Sequence, residues 1–123
     1  MSTCKVLIIE DDDDVREALV ALLIHEGYQA DGARSGLAAL ITMTWLRYVP
    51  DVILLDLLMP AMNGEQFHAV LQKHPRWSRI PIVLCTGRTG HVPFAVFGVL
   101  EKPFDLELML DTVKSACASR PDT

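Results

Sequence analysis

The stretch Asp51-Val52-Ile53-Leu54-Leu55-Asp56-Leu57-Leu58-Met59-Pro60 decides the fold. Four apolar, strand-compatible residues run straight into a carboxylate and, soon after, a proline. A short apolar run bounded by turn signals reads as a strand buried on both faces, as in a parallel sheet. Asp56 then lies at or just past the carboxyl end of that strand, the edge at which open α/β sheets bind ligands. A charge placed there is costly unless a cation or hydrogen bonds meet it. What surrounds Asp56 therefore becomes the central question.

Working outward, the same pattern recurs. Lys5-Val6-Leu7-Ile8-Ile9 is a second short apolar run, and it ends in Glu10 to Asp14. Val15, Ala18, Leu19, Leu22 and Leu23 then fall at helical spacing, with Asp13 or Asp14 as a cap and Gly27 as the stop. Residues 28–33 read as an edge strand. Ser35 caps a second predicted helix that turns Leu37, Leu40, Ile41 and Trp45 inward and ends before Pro50. Asn63-Gly64 opens a third helix with Phe67, Val70 and Leu71 on one face, closed by Pro75. Residues 80–87 form a strand ending in Thr86 and Gly87, and Val99-Leu100-Glu101-Lys102-Pro103 is a last short strand ending in a lysine. Asp105 caps a closing helix with Leu106, Met109, Leu110, Val113 and Cys117 at helical spacing, and residues 119–123 read as a frayed tail. Alternating strands and helices predict one α/β domain, 1–123, with a doubly wound parallel sheet.

Composition narrows the function. Net charge is −5 with no basic stretch, which argues against direct nucleic-acid binding. The three cysteines Cys4, Cys85 and Cys117 are isolated and odd in number, so reduced thiols in a cytoplasmic setting are expected and a zinc site is not. No apolar stretch is long enough to span a bilayer, and the start of the chain has no secretory-signal pattern.

Each central strand ends in a residue capable of chemistry: Glu10 and Asp11, then Asp56, then Thr86, then Lys102. In a parallel sheet those ends share one edge. Carboxylates so placed repel one another unless a cation intervenes, and hard oxygen ligands suit Mg²⁺. A carboxylate can accept a phosphoryl group, and a neighbouring lysine and hydroxyl would neutralise its oxygens. The constellation reads as an aspartyl-phosphate site. Taken singly, each residue has a plain explanation: a solvated helix start for Glu10 to Asp14, a turn residue for Asp56, a strand end for Thr86, a surface lysine for Lys102. Their joint placement is what favours chemistry.

Val6-Leu7-Ile8-Ile9-Glu10-Asp11-Asp12, Leu55-Asp56-Leu57-Leu58-Met59-Pro60 with Gly64, Leu84-Cys85-Thr86-Gly87 and Leu100-Glu101-Lys102-Pro103-Phe104 resemble, in order, the motifs of response regulator receiver domains. The resemblance implies a flavodoxin-like five-stranded sheet of order 2-1-3-4-5. It implies Asp56 as phosphoacceptor and Asp11 as direct Mg²⁺ ligand, with Glu10 supporting the metal through water and the Leu58 carbonyl completing the protein ligands. It further implies that Thr86 and Lys102 contact the phosphoryl group and that the Lys102–Pro103 peptide is cis. The donor would be a phosphohistidine on a sensor histidine kinase or a histidine phosphotransfer protein. Such a domain is a signalling switch rather than a conventional enzyme, at most catalysing its own phosphorylation and slow dephosphorylation.

Two departures from the family pattern stand out. Val99 replaces the usual aromatic residue three positions before the lysine. Only fifteen residues, Gly87 to Glu101, separate Thr86 from Lys102, shorter than usual by about one and a half helical turns. With two glycines and a proline between Gly87 and Phe94, the fourth helix is expected to be shortened or missing. Leu58 and Arg88, each two residues past a motif residue, flank the site, and a bulky Leu58 would slow hydrolysis of an aspartyl phosphate. Three other functions compete with this reading. A haloacid-dehalogenase-type phosphatase would need an acid at position 58. A nucleotide-binding module would need a glycine-rich loop after the first strand. A receiver-like interaction domain working without phosphorylation differs only in what Asp56 does.

Overall fold

A computed structural model describes residues 3–57, 62–87, 92, 94–103 and 105–120. Strands β1 (Lys5–Ile9), β2 (Gln29–Ala33), β3 (Val52–Asp56), β4 (Ile82–Thr86) and β5 (Gly98–Glu101) form one parallel sheet of order β2-β1-β3-β4-β5. Helices α1 (Asp13–His25), α2 (Gly36–Trp45), α3 (Gly64–Gln72) and α4 (Leu106–Ala118) connect and cover it. This is the flavodoxin-like, doubly wound arrangement expected from the sequence. Among the described residues no helix lies between β4 and β5, in line with the shortened spacing.

Strand alternation divides the core in two. Val6, Ile8, Val52, Leu54 and Val83 face α1 and α4, where Leu19, Leu23, Met109 and Val113 meet them. Leu7, Ile9, Ile53, Leu55 and Leu84 face the other way, against Ala39, Met43, Phe67 and Leu71 of α2 and α3. Every residue of β3 is buried. Burying a branched aliphatic side chain contributes about 1.5–3 kcal/mol relative to leaving it exposed, so the central strands are the most firmly held part of the sheet.

Helix starts follow local chemistry. Asp12, rather than Asp13 or Asp14, caps α1 by accepting from Val15 N–H, and the two later acids sit in the first turn. Ser35, Asn63 and Asp105 cap the other three helices, with Asn63 and Gln66 forming a reciprocal capping box. Gly27 takes a positive φ of 97° just past α1, the conformation for which glycine is favoured.

Several expectations are corrected. In α2 the buried stripe is Gly36, Ala39 and Met43, with Leu37 and Ile41 exposed and Trp45 80% exposed. Small side chains let the helix approach the sheet closely, and that packing outweighs the size of its larger apolar residues. In α3, Phe67 and Leu71 are buried but Val70 is exposed. Leu106, expected inward in α4, is exposed as well. Arg120, within the stretch expected to fray, lies 3.6 Å from Asp51 across the molecule, and residues 121–123 lie outside the described residues. Cys4 and Cys117 are not isolated thiols but a disulfide joining the start of β1 to α4, with Cα atoms 6.0 Å apart. Cysteine usage therefore no longer argues for reduced thiols. No helix among the described residues is long and apolar enough to cross a membrane.

Candidate functional site

The register assembles the site. Ile9 pairs with Leu55, so Glu10, one step beyond β1, arrives beside Asp56 at the end of β3. Thr86 ends β4 opposite Glu101, and Lys102 follows directly, its N–H donating to the Thr86 carbonyl at 2.7 Å. Four strand ends thus bring Glu10, Asp11, Asp56, Thr86 and Lys102 to one edge, as the sequence predicts. The Lys102–Pro103 peptide is cis. Leu58, like Arg88 and His91, lies outside the described residues.

The charges are tightly grouped. One carboxylate oxygen from each of Glu10, Asp11 and Asp56 lies within 4.8 Å of the others. Lys102 Nζ donates to Glu10 Oε1 at 2.9 Å and to Asp56 Oδ2 at 3.2 Å. Asp56 and Glu10 are only 8% and 5% exposed, whereas Asp11 is open to solvent. Burial by itself would lower the Lys102 pKa, but its hydrogen bond to Glu10 and the charges of Asp56 and Glu10 outweigh that and raise it. Lys102 is therefore a fixed cation.

Among the described residues, three carboxylates against one ammonium leave a surplus of two negative charges. Glu10 Oε2 is buried and makes no hydrogen bond among the described residues. An unsatisfied buried carboxylate oxygen is expensive and calls for a partner. Oxygen-only donors with a double negative surplus fit a small divalent cation, and Mg²⁺ in particular, which binds through one or two carboxylates and keeps its remaining sites for water or phosphate.

Arg16 is a supporting residue that sequence reasoning missed. Its guanidinium donates to the Glu10 carbonyl at 2.9 Å and pairs with Asp13, tying α1 to the loop that presents Glu10 and Asp11. Its place one turn into an acidic helix start looked like ordinary surface. Gly64 is a second. A Cβ there would lie 3.1–3.3 Å from Leu57 side-chain and backbone atoms, and its N–H donates to the Leu57 carbonyl at 3.0 Å. The start of α3 therefore sits hard against the residue after Asp56. His68, read as a surface or packing residue, stacks on Phe94 with ring centroids 4.0 Å apart. Val99 is 43% exposed on β5.

Comparisons with known proteins agree with this geometry. The family model described as response regulator receiver domain matches residues 6–114. Protein Rrf1 of Nitratidesulfovibrio vulgaris is 36% identical over 97% of this chain and 89% of its own length. The transcriptional regulatory protein YxdJ of Bacillus subtilis is 32% identical over 90% of this chain, which spans only 49% of that longer relative. Among solved structures, the chemotaxis response regulator CheY4 of Vibrio cholerae superposes with a TM-score of 0.84 at 27% identity, covering 94% of this chain and 99% of that one. FixJ-N gives a TM-score of 0.84 at 25% identity over the full length of both. With the fold, the converging strand ends and the matched sequence in agreement, the chain belongs to the response regulator receiver domain family.

Proposed function

We propose that this receiver domain is a phosphoacceptor switch of a two-component or phosphorelay system, with Asp56 as the acceptor. The observation that carries the reading is the charge imbalance at the sheet edge, where three converging carboxylates face one ammonium and a buried oxygen of Glu10 lacks a partner among the described residues. Asp11 and Asp56 would hold Mg²⁺ directly and Glu10 through water, with the Leu58 carbonyl as the remaining protein ligand. When bound, the ion would neutralise charge on the phosphoryl oxygens, the main requirement of phosphoryl transfer.

The chain's own groups account for the rest. An Asp56 carboxylate oxygen attacks the phosphorus of a phosphohistidine on a sensor histidine kinase or histidine phosphotransfer protein. The O–P bond forms as the P–N bond breaks, and the electron pair leaves with the imidazole, which takes up a proton. Lys102, anchored at 2.9 Å by Glu10, can exchange its contact with Asp56 for one to a phosphoryl oxygen without losing its place. Thr86, at the adjacent strand end, would donate its hydroxyl to another oxygen. The phosphorylated site then alters a protein-interaction surface, which makes the domain a switch rather than a conventional enzyme.

The reading is tested by the chemistry of the linkage. After incubation with phosphoramidate, a small P–N phosphodonor, and Mg²⁺, the modified chain should lose its phosphoryl group in neutral hydroxylamine, as an acyl phosphate does. A hydroxylamine-resistant adduct would place the group on a hydroxyl instead and overturn the assignment.

A further inference from the structure

The opposite end of the sheet carries charge of the other sign. A cavity of about 420 Å³ opens at the amino-terminal edge of β1, β3 and β4, lined by Lys5, Arg47, Arg76, Arg79 and Arg120 with a single carboxylate, Asp51. Four of the chain's seven arginines converge there. Among the described lining residues, five cations to one anion give a local charge of +4, in a chain whose net charge is −5. Cations so concentrated in an acidic protein repel one another. They require an explanation.

Helix ends supply part of one. In a parallel α/β fold the carboxyl ends of the helices point to this edge, and each carries about half a negative charge. Arg47 follows the C-cap of α2, Arg120 that of α4, and Arg76 and Arg79 flank the single turn after α3. Three such ends together offset only about 1.5 charges, so most of the positive surplus is unexplained by them. Asp51 is already committed, accepting from Lys5 N–H at 2.8 Å and facing Arg120 at 3.6 Å.

Arg47 gives an independent sign. It holds a φ of 49°, the only non-glycine positive φ among the described residues, at the helix-terminating position where glycine is ordinarily favoured. The backbone there prefers glycine, yet the position carries a long cation that lines the cavity. The cavity is also not uniformly polar: Val49, Pro50, Ile80 and Pro81 supply apolar wall. Its volume falls within the range of small-molecule sites. Guanidinium forks bind phosphate oxygens in pairs, which single ammonium groups do not.

We infer that this cavity is a binding site for a nucleoside di- or triphosphate, with the arginines taking the phosphates and the proline and aliphatic wall taking the nucleoside. Its place at the amino-terminal edge, across the length of β3 from Asp56, makes it separate from the acidic site.

The test is calorimetric titration of the full chain with ADP in EDTA, which removes Mg²⁺ and silences the acidic site, so failure here leaves the phosphoacceptor reading untouched. Inorganic pyrophosphate and a short single-stranded oligonucleotide serve as parallel titrants. ADP should bind, with pyrophosphate weaker by about tenfold or more. Arg76→Gln and Arg79→Gln, both at exposed positions, should each weaken ADP by about tenfold or more. Arg47→Gly should do the same while leaving the melting temperature unchanged or raised, because glycine relieves the left-handed backbone. Failure to saturate below about 1 mM ADP would overturn the inference, as would affinity unchanged in the arginine variants. Pyrophosphate binding as tightly as ADP would remove the nucleoside from it. Tighter binding of the oligonucleotide would replace the small ligand with a nucleic acid.

Discussion

Lys102 Nζ lies 3.2 Å from Asp56 Oδ2, a contact that joins the ends of two strands forty-six residues apart in sequence. The same ammonium holds Glu10 at 2.9 Å, so a single cation stands between the two most buried carboxylates among the described residues. Replacing it by a neutral side chain of similar shape leaves three carboxylates facing one another. Lys102→Met should therefore cost about 1–2 kcal/mol of stability at neutral pH, below the value for a fully buried pair because the lysine is partly exposed. Urea unfolding should show the loss, and added Mg²⁺ should recover more stability in this variant than in the parent chain. Equal Mg²⁺ effects would mean that lysine and metal do not share the same carboxylates.

Thiol counting checks the two faces of the cysteine chemistry. Cys4 and Cys117 are bonded, while Cys85 is buried in β4 with its thiol pushed up to about 12, chiefly by desolvation. The native chain should show no thiol reactive to a disulfide reagent at pH 8, the unfolded chain one, and the unfolded, reduced chain three. Because the bridge closes a loop of 113 residues, its reduction should cost about 2–5 kcal/mol of stability. Three thiols in the unfolded chain without reductant would contradict the bridge.

Gly64 approaches Leu57 too closely to accept a side chain without movement of backbone. Gly64→Ala should destabilise the chain by about 1–3 kcal/mol, as overpacking typically does, even though alanine is the better helix former. A gain in melting temperature would show that the start of α3 yields freely.

Burial lowers the pKa of His68, which stacks on Phe94, below its usual 6.5. The folded state therefore binds a proton less readily than the unfolded state. No stability is lost to this group above pH 6.5; the loss grows as pH falls below that value and levels off beneath the folded pKa. His68→Gln should flatten that part of the stability curve, and a fall of equal size in both chains would assign it elsewhere.

The strands and the site were legible in the sequence because their signals are local. A run such as Val52 to Asp56 states burial, extension and a terminal charge within five residues, and the parallel topology does the rest. The disulfide escaped reading because it depends on a partner distant in the chain: nothing near Cys4 announces Cys117. Arg16 has close partners, Glu10 and Asp13, but an arginine in an acidic helix start resembles any surface arginine until its contact with the Glu10 carbonyl is seen. The inward turn expected of Trp45 failed for a different reason. Apolar periodicity weighs size, whereas α2 packs through Gly36 and Ala39. The basic cavity is invisible in sequence because its cations come from four separate places.

The central claim, that Asp56 is a metal-dependent phosphoacceptor, is tested most directly by intact mass. The parent chain should gain one phosphoryl group after incubation with a small-molecule phosphodonor and Mg²⁺, and the gain should vanish in EDTA and in Asp56→Ala. An adduct that persists in Asp56→Ala, or that forms equally well without Mg²⁺, would contradict the account.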